Sequence, residues 1–207
     1  NSSLSRAKIN YKRPEMTEME IFEMPGSVLH LDGDREYLEL CLSTYRQLGL
    51  RAHGFFVPEV EQANVVKDYL AEYAPDILVI TGHDGFLRGR KNFSSLDSYR
   101  NSKAFVRTVR KAREFSPGRD DLIIFAGACQ SHYESLISAG ANFASSPKRV
   151  LIHAYDPVFI AEKVAFTPFN QLVPIKETVC DTITGTDGVG GIETHGRLRL
   201  GYPKSPY

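Results

Sequence analysis

A histidine and a cysteine follow two apolar segments that the sequence predicts to be neighbouring strands of one sheet. His83 comes after residues 77–80 and Cys129 after residues 122–126, with glycines beside both. In open parallel sheets, ligands bind outside the carboxyl ends of the strands, near the point where the strand order reverses. A thiol and an imidazole in such a crevice are the nucleophile and the acid–base partner of cysteine-dependent acyl transfer. The sequence therefore predicts a catalytic dyad of His83 and Cys129.

The turn that holds Cys129 adds two features that favour nucleophilic catalysis. A helix is predicted to begin near Ser131, and the positive end of a helix dipole favours a thiolate. Backbone N–H groups of Cys129 and of the turn after His83, at Asp84 and Gly85, are expected to form an oxyanion hole. The alternative is that Cys129 is a small buried hydrophobic residue, as free cysteines usually are.

The other cysteines and histidines fit structural roles better. Cys41 and Cys180 fall within apolar helical patterns, which predicts buried structural thiols. His30 and His153 lie within predicted strands and are interpreted as core histidines, whereas His132 is predicted to lie on the surface. No HxxxH or CxxC spacing is present, so no metal site is predicted.

Strand-like and helix-like segments alternate along the chain. The predicted strands cover residues 28–31, 52–57, 77–80, 122–126 and 150–154, and the predicted helices residues 35–48, 60–73, 102–115, 131–139 and 158–166. This alternation predicts an α/β three-layer sandwich, with a mostly parallel sheet of order about 2-1-3-4-5 and helices on both faces. Residues 1–25 are polar and predict an extended arm or linker, and the length of residues 26–207 predicts a single domain.

Composition excludes several functional classes. The 207 residues contain 25 Lys and Arg and 25 Asp and Glu, so the formal net charge is zero. Without a basic excess, neither a nucleic acid nor a membrane surface is expected as a partner. Three cysteines are too few for a disulfide scaffold, which favours a reducing compartment.

Longer runs of sequence resemble a known family. The strand–His and strand–Ala–Cys–Gln motifs resemble the caspase-like cysteine peptidases, and more of the chain is similar to the YabG family of sporulation-specific proteases. The runs that carry this second resemblance are VLHLDGD (28–34), LVITGHDG (78–85), YRNS (99–102), FAGACQS (125–131), GANFASSPKRV (140–150) and GGIET (190–194).

The resemblance implies a caspase-like cysteine endopeptidase that processes spore coat and cortex proteins during sporulation. It implies no cofactor, protein substrates, and a location in the cytoplasm of the mother cell in association with the spore coat. His83 would protonate the leaving amine after attack by Cys129. In caspase-like enzymes the histidine is followed directly by glycine, whereas here Asp84 stands between His83 and Gly85. That departure leaves open which N–H completes the oxyanion hole.

The same resemblance suggests a substrate preference. In caspase-like folds, the pocket for the residue before the cut lies over the ends of strands one, four and five, which here carry Asp32, Gly127 and Asp156. Two carboxylates predict cleavage after Arg, with Lys slower, because guanidinium binds carboxylate bidentately. Alternatively, both aspartates are helix N-caps. If the enzyme cleaves after Arg, Arg6 and Arg13 in the arm are expected sites of self-processing.

Two other functions remain compatible with the residues alone. Class I amidotransferases and DJ-1-like cysteine hydrolases also place a cysteine at a strand-to-helix turn, but their histidine comes from downstream, which would make His153 the partner of Cys129. A non-catalytic flavodoxin-like binding module would use the same crevice without a nucleophile. Substituting His83 and His153 separately distinguishes the two enzymes.

Overall fold

The computed structural model describes residues 20–90 and 92–207. The strands in this part of the chain are β1 (Phe22–Met24), β2 (Val28–Asp32), β3 (Ala52–Phe56), β4 (Ile77–Thr81), β5 (Ile123–Ala126), β6 (Phe143–Ser145), β7 (Val189–Gly191) and β8 (Arg199–Gly201). The α-helices are α1 (Arg35–Gln47), α2 (Glu59–Tyr73), α3 (Ser102–Phe115), α4 (Tyr133–Ala139), α5 (Asp156–Phe166) and α6 (Ile175–Cys180).

One six-stranded sheet forms the centre of the molecule, in the order β3-β2-β4-β5-β6-β7. The first five of these strands run parallel, and β7 is antiparallel to β6. Two register positions matter for the site: Asp32 is opposite Thr81, and Ile80 is opposite Ala126. The predicted α/β fold with a mostly parallel sheet and helices on both faces is confirmed.

Helices cover both faces because side chains alternate along each central strand. Leu29 and Leu31 of β2 point to one apolar cluster, which also contains side chains of α2, α3 and α4. Val28 points to the opposite cluster, with side chains of α1, α5 and α6. None of the helices within residues 20–90 and 92–207 combines the length and apolar content needed to cross a membrane.

The fifth parallel strand differs from its prediction. It is β6, whereas residues 150–153 of the predicted strand have no regular structure. β6 has only three residues, too few for a periodic pattern to reveal. The apolar run at 150–154 has a different role, because its Leu151 is 69 % exposed. This segment borders the cleft described below.

A second, two-stranded sheet lies at the ends of the described chain. β1 pairs antiparallel with β8, with Phe22 opposite Gly201. Residues 22–24 of the predicted arm are therefore a paired strand. Arg6 and Arg13, the predicted self-processing sites, lie outside the described residues, and the arm's boundary at residue 25 remains a prediction.

Candidate active site

Two loops leave neighbouring strands side by side at the carboxyl edge of the sheet. His83 follows Ile80 by three positions in the first loop, and Cys129 follows Ala126 by three positions in the second. Ile80 and Ala126 are opposite each other, and the Gly127 N–H donates to the Ile80 carbonyl at 2.9 Å. The strand register thus brings the predicted nucleophile and the predicted base to the same edge.

Cys129 opens into a cleft of about 420 Å³ at this edge. Asp32 and Thr81, at the ends of β2 and β4, line the same cleft. Tyr37 of α1 forms part of one wall, and the extended segment 152–155 forms another. The lining of the cleft therefore includes both the Cys129 thiol and the Asp32 carboxylate.

The Cys129 thiol contacts the backbone of the segment that forms the second wall. The Ile152 N–H donates to Sγ at 3.4 Å, and the Ile152 carbonyl oxygen lies 3.7 Å from Sγ. Helix α4 begins at Tyr133 and has only seven residues, so the thiol lies outside its first turn. The prediction that a helix starting near Ser131 stabilises the thiolate does not match this geometry, because Cys129 lies in a turn at residues 129–130 that is separated from α4 by two residues without regular structure.

The His83 imidazole faces two carboxylates that the sequence analysis did not single out. The Asp34 Oδ2 lies 3.3 Å from Nε2, and the Glu59 Oε1 lies 3.7 Å from Nδ1. The His83 backbone N–H also donates to Glu59 Oε1 at 2.7 Å. The loop and the ring of His83 are therefore both held by Glu59, from the first turn of α2.

Two glycines make room for the Glu59 carboxylate. A Cβ at Gly33 or at Gly82 would collide with the Glu59 side chain, and Gly82 also has a φ of +152°, which other residues rarely adopt. These glycines are the sequence signal for the contact, but they do not reveal which side chain fills the space.

The Asp84 side chain joins the loop of His83 to the turn of Cys129. Its carboxylate accepts hydrogen bonds from four groups, namely the Gly85 N–H (2.8 Å), the Asn101 N–H (2.8 Å), the Ser131 hydroxyl (2.8 Å) and the Ser102 hydroxyl. Ser131 Oγ in turn accepts the Ala128 N–H at 2.9 Å, next to Cys129. Asp84 thus fixes the two loops relative to each other.

These bonds bear on the predicted oxyanion hole. The Gly85 N–H already donates to the Asp84 carboxylate. In contrast, the N–H groups of Asp84 and Cys129 have no hydrogen-bond acceptor within residues 20–90 and 92–207. Of the three predicted positions, Asp84 and Cys129 therefore have N–H groups free to donate to a substrate.

Asp32 lines the cleft, and each of its two carboxylate oxygens accepts a hydrogen bond from a neighbouring group. The Asp34 N–H donates to Oδ1 and the Thr81 hydroxyl to Oδ2, each at 2.8 Å. Burial alone would raise the pKa of Asp32. The hydrogen bonds from His30, the Asp34 N–H and the Thr81 hydroxyl outweigh burial, so the pKa lies below its ordinary value.

The structure does not bring Asp156 to the cleft. Its carboxylate is fully buried and accepts hydrogen bonds from the N–H groups of His153 (3.0 Å) and Ile183 (2.8 Å) and from Thr184. These bonds tie the start of α5 to the segment after α6. The predicted pocket role for Asp156 does not match this placement, because Asp156 is not among the residues that line the cleft.

Several expectations for the remaining histidines and cysteines change. His30 and Cys41 are buried, as predicted. His153 is exposed and lines the cleft rather than the core, because the segment that holds it is not a strand. His132 is 7 % exposed rather than a surface residue, and Cys180 is exposed rather than buried.

Comparison with known proteins gives one family. Residues 2–203 match a family model described as YabG peptidase U57. A curated relative from Bacillus subtilis (strain 168), described as sporulation-specific protease YabG, is 52 % identical over 182 residues. The match covers 88 % of this chain and 63 % of the relative, so the chain spans less than two thirds of the relative's length. No solved structure matches the chain.

Proposed function

The chain belongs to the YabG peptidase U57 family, and we propose that it is a cysteine endopeptidase with Cys129 as nucleophile and His83 as its acid–base partner. The observation that supports this proposal most strongly is the register of β4 and β5, which sets the two residues on adjacent loops at the edge of an open cleft.

The proposed reaction proceeds through a thioester. The Cys129 thiolate attacks the scissile carbonyl carbon, and the oxyanion accepts hydrogen bonds from the N–H groups of Cys129 and Asp84. The C–N bond then breaks, and the His83 imidazolium gives its proton to the leaving amine. Water attacks the thioester carbon while His83 takes one of its protons, and the C–S bond breaks, which releases the new carboxyl group and restores the Cys129 thiolate and the His83 imidazolium. Both steps use only groups of the chain and water, so no cofactor is needed.

The carboxylates beside His83 support its role as acid and base. Asp34, 3.3 Å from Nε2, stabilises a positively charged ring electrostatically and limits its rotation. His83 is 54 % exposed at its side chain, so these contacts rather than burial hold the ring in place.

We propose that the enzyme cleaves after Arg, with Lys slower. The proposal is supported by the ionised Asp32 carboxylate at the floor of the cleft that also contains Cys129. A guanidinium binds such a carboxylate through two parallel hydrogen bonds, which an ammonium cannot make. Asp156 is omitted from this pocket because, unlike Asp32, it does not line the cleft.

The biological role is proposed from the family. The curated relative is described as a sporulation-specific protease, and we infer that this chain acts in sporulation on precursors of spore coat and cortex proteins. The proposed location is the mother-cell cytoplasm, in association with the spore coat. Self-processing at Arg6 or Arg13 would follow from the same preference for Arg.

The test of the catalytic proposal is cleavage of an unfolded protein, with the new termini mapped by mass spectrometry. We expect Cys129→Ala to abolish cleavage, and His83→Ala to reduce it by about a thousandfold or more. His153→Ala is the matched control, since His153 lines the same cleft. A larger loss for His153→Ala than for His83→Ala would favour the amidotransferase-like arrangement, and no cleavage by the wild type would favour a binding module.

The test of the specificity proposal uses peptides that differ only at the residue before the cut. We expect the wild type to prefer Arg over Leu by at least about a hundredfold, and Asp32→Asn to lose most of that preference. If Arg has no advantage, the charged pocket is wrong. If the preference survives in Asp32→Asn, another group recognises the guanidinium.

A further inference from the structure

Three buried side chains lie in a row that ends at Asp32, and of these only Thr81 also lines the cleft. His30, Tyr45 and Thr81 are 0 %, 0 % and 6 % exposed, and none of them takes part in the proposed chemistry. His30 precedes Asp32 by two positions in β2, so both side chains point to the same face of the sheet. Thr81 is opposite Asp32 in the next strand, and Tyr45 reaches His30 from α1.

The row is continuous at hydrogen-bond distance. The Tyr45 hydroxyl lies 3.2 Å from His30 Nδ1, and His30 Nε2 lies 2.7 Å from Thr81 Oγ1. Thr81 Oγ1 donates to Asp32 Oδ2 at 2.8 Å. His30 Nε2 is also 3.3 Å from the same carboxylate oxygen.

The number of available protons fixes the direction of these bonds. Asp32 as a carboxylate only accepts, so the single hydroxyl proton of Thr81 is directed to Oδ2. Thr81 Oγ1 can then only accept from His30, which requires that Nε2 carries a proton. With a neutral ring, Nδ1 accepts from the Tyr45 hydroxyl, whose pKa is raised well above its ordinary value by burial. Every donor therefore points toward Asp32.

We propose that Tyr45, His30 and Thr81 form a specificity relay, a buried chain of hydrogen bonds that keeps Asp32 ionised and oriented toward the cleft. This inference rests on the proposed preference for Arg. The relay holds Oδ2 through the Thr81 hydroxyl, while the Asp34 N–H holds Oδ1. The carboxylate plane is thus fixed before substrate arrives, which a bidentate contact with guanidinium requires. Tyr45 and His30 are positioning residues, because they act on substrate only through Asp32.

The relay predicts a change in selectivity rather than a general loss of activity. Arg and citrulline side chains have nearly the same shape, but only Arg is charged, so the ratio of kcat/KM for two such peptides measures the pocket's charge recognition. We expect Tyr45→Phe, which removes one hydroxyl and keeps the ring, to lower this ratio about fivefold. Thr81→Val, which removes the direct donor to Asp32, should lower the ratio by about tenfold or more. Thr108→Val is the matched control: Thr108 is equally buried but bonds only a backbone carbonyl in α3.

Binding provides a readout that does not depend on turnover. In the Cys129→Ala background, calorimetry with the blocked Arg and citrulline peptides should show the same loss of Arg preference in Tyr45→Phe. Circular dichroism establishes that each variant is folded.

The outcomes separate the relay from the pocket. Suppose that Asp32→Asn abolishes the preference for Arg, while Tyr45→Phe and Thr81→Val keep the Arg-to-citrulline ratio of kcat/KM within about twofold of the wild type. That result would support the Asp32 pocket and overturn the relay. A wild type that does not distinguish Arg from citrulline overturns both.

Discussion

At the scale of single residues, Glu59 holds the position of His83. Its carboxylate accepts the His83 N–H and lies close to Nδ1 of the ring. We expect Glu59→Ala to reduce kcat by about tenfold to a hundredfold while KM changes little, because the base loses its orientation and the pocket is untouched. Glu61→Ala, an exposed residue in the same first turn of α2, serves as the control and should keep wild-type kcat.

Asp84 has a different role, since it joins the two loops that hold His83 and Cys129. Asp84→Asn keeps an oxygen for two backbone donors but presents NH₂ where the hydroxyls of Ser102 and Ser131 now donate. We expect kcat to fall by about tenfold or more while the melting temperature changes little. A fall in kcat that is matched by unfolding of the variant at the assay temperature would indicate that Asp84 only maintains the fold.

The three thiols should react with iodoacetamide at different rates under native conditions. Cys129 is expected to be labelled fastest, because a nucleophile that attacks amides is activated by its base. Burial, with the nearby charge of Asp32, raises the pKa of Cys41 to about 12, so that thiol should react slowest. Cys180 is exposed and gives the rate of an ordinary thiol. Peptide mapping over time measures all three, and a Cys129 rate no higher than that of Cys180 would contradict activation.

Residues that follow strands were predictable from the sequence, whereas contacts across loops were not. His83, Cys129 and Asp32 each follow an apolar run, and parallel strands must end at a common edge. Glu59 begins a helix that the sequence predicts, but its contact with His83 depends on how α2 packs beside two glycines. No local pattern contains that information.

At the scale of secondary structure, one arginine joins several elements. The Arg113 guanidinium, in α3, donates to the carbonyls of Ser116, Gly118, Leu122 and Gly140 and to the side chain of Asn142. Burial lowers its pKa to about 10, so the group remains charged at neutral pH. These bonds connect the end of α3 to the segments that flank β5 and α4.

Arg113→Met should therefore destabilise the protein by about 3 kcal/mol, because several buried carbonyl groups lose their donor together. Urea unfolding followed by circular dichroism measures the change. The exposed Arg110, one turn earlier in the same helix, provides the control, and Arg110→Met should change the free energy of unfolding by less than about 0.5 kcal/mol.

The length of an element determined whether the sequence revealed it. The long helices and the four strands β2 to β5 have enough residues for an apolar pattern to show. β6 has three residues, and the more apolar run at 150–154 predicts a strand that the structure does not form. That run is apolar because it forms a wall of the cleft, where Ile152 contacts the thiol. Composition alone does not distinguish a buried strand from the wall of a binding site.

At the scale of the whole molecule, stability should depend on acid pH through Asp32. Its pKa is lower in the folded protein than in the unfolded chain, so its ionised form stabilises the fold above the unfolded value of roughly 3.9. This contribution is lost as the pH falls through the folded-state pKa.

We expect Asp32→Asn to be less stable than the wild type at pH 7, and the difference to shrink as the pH falls below about 4. Thermal unfolding of both proteins between pH 3 and pH 7 gives the comparison. A difference that does not change with pH would mean that Asp32 acts through its shape and not through its charge.

The positions of β7 and β8 have a consequence for the protein during its synthesis. A ribosome has added both His83 and Cys129 by residue 129, yet the far wall of the cleft comes from residues 152–155. β7 closes the edge of the central sheet against β6, and β8 pairs with β1 at the other end of the described chain. Pairings between segments so distant in sequence form late, since each requires a large loop to close. A nascent chain would thus expose the Cys129 thiol before residues 152–155 form the far wall of the cleft.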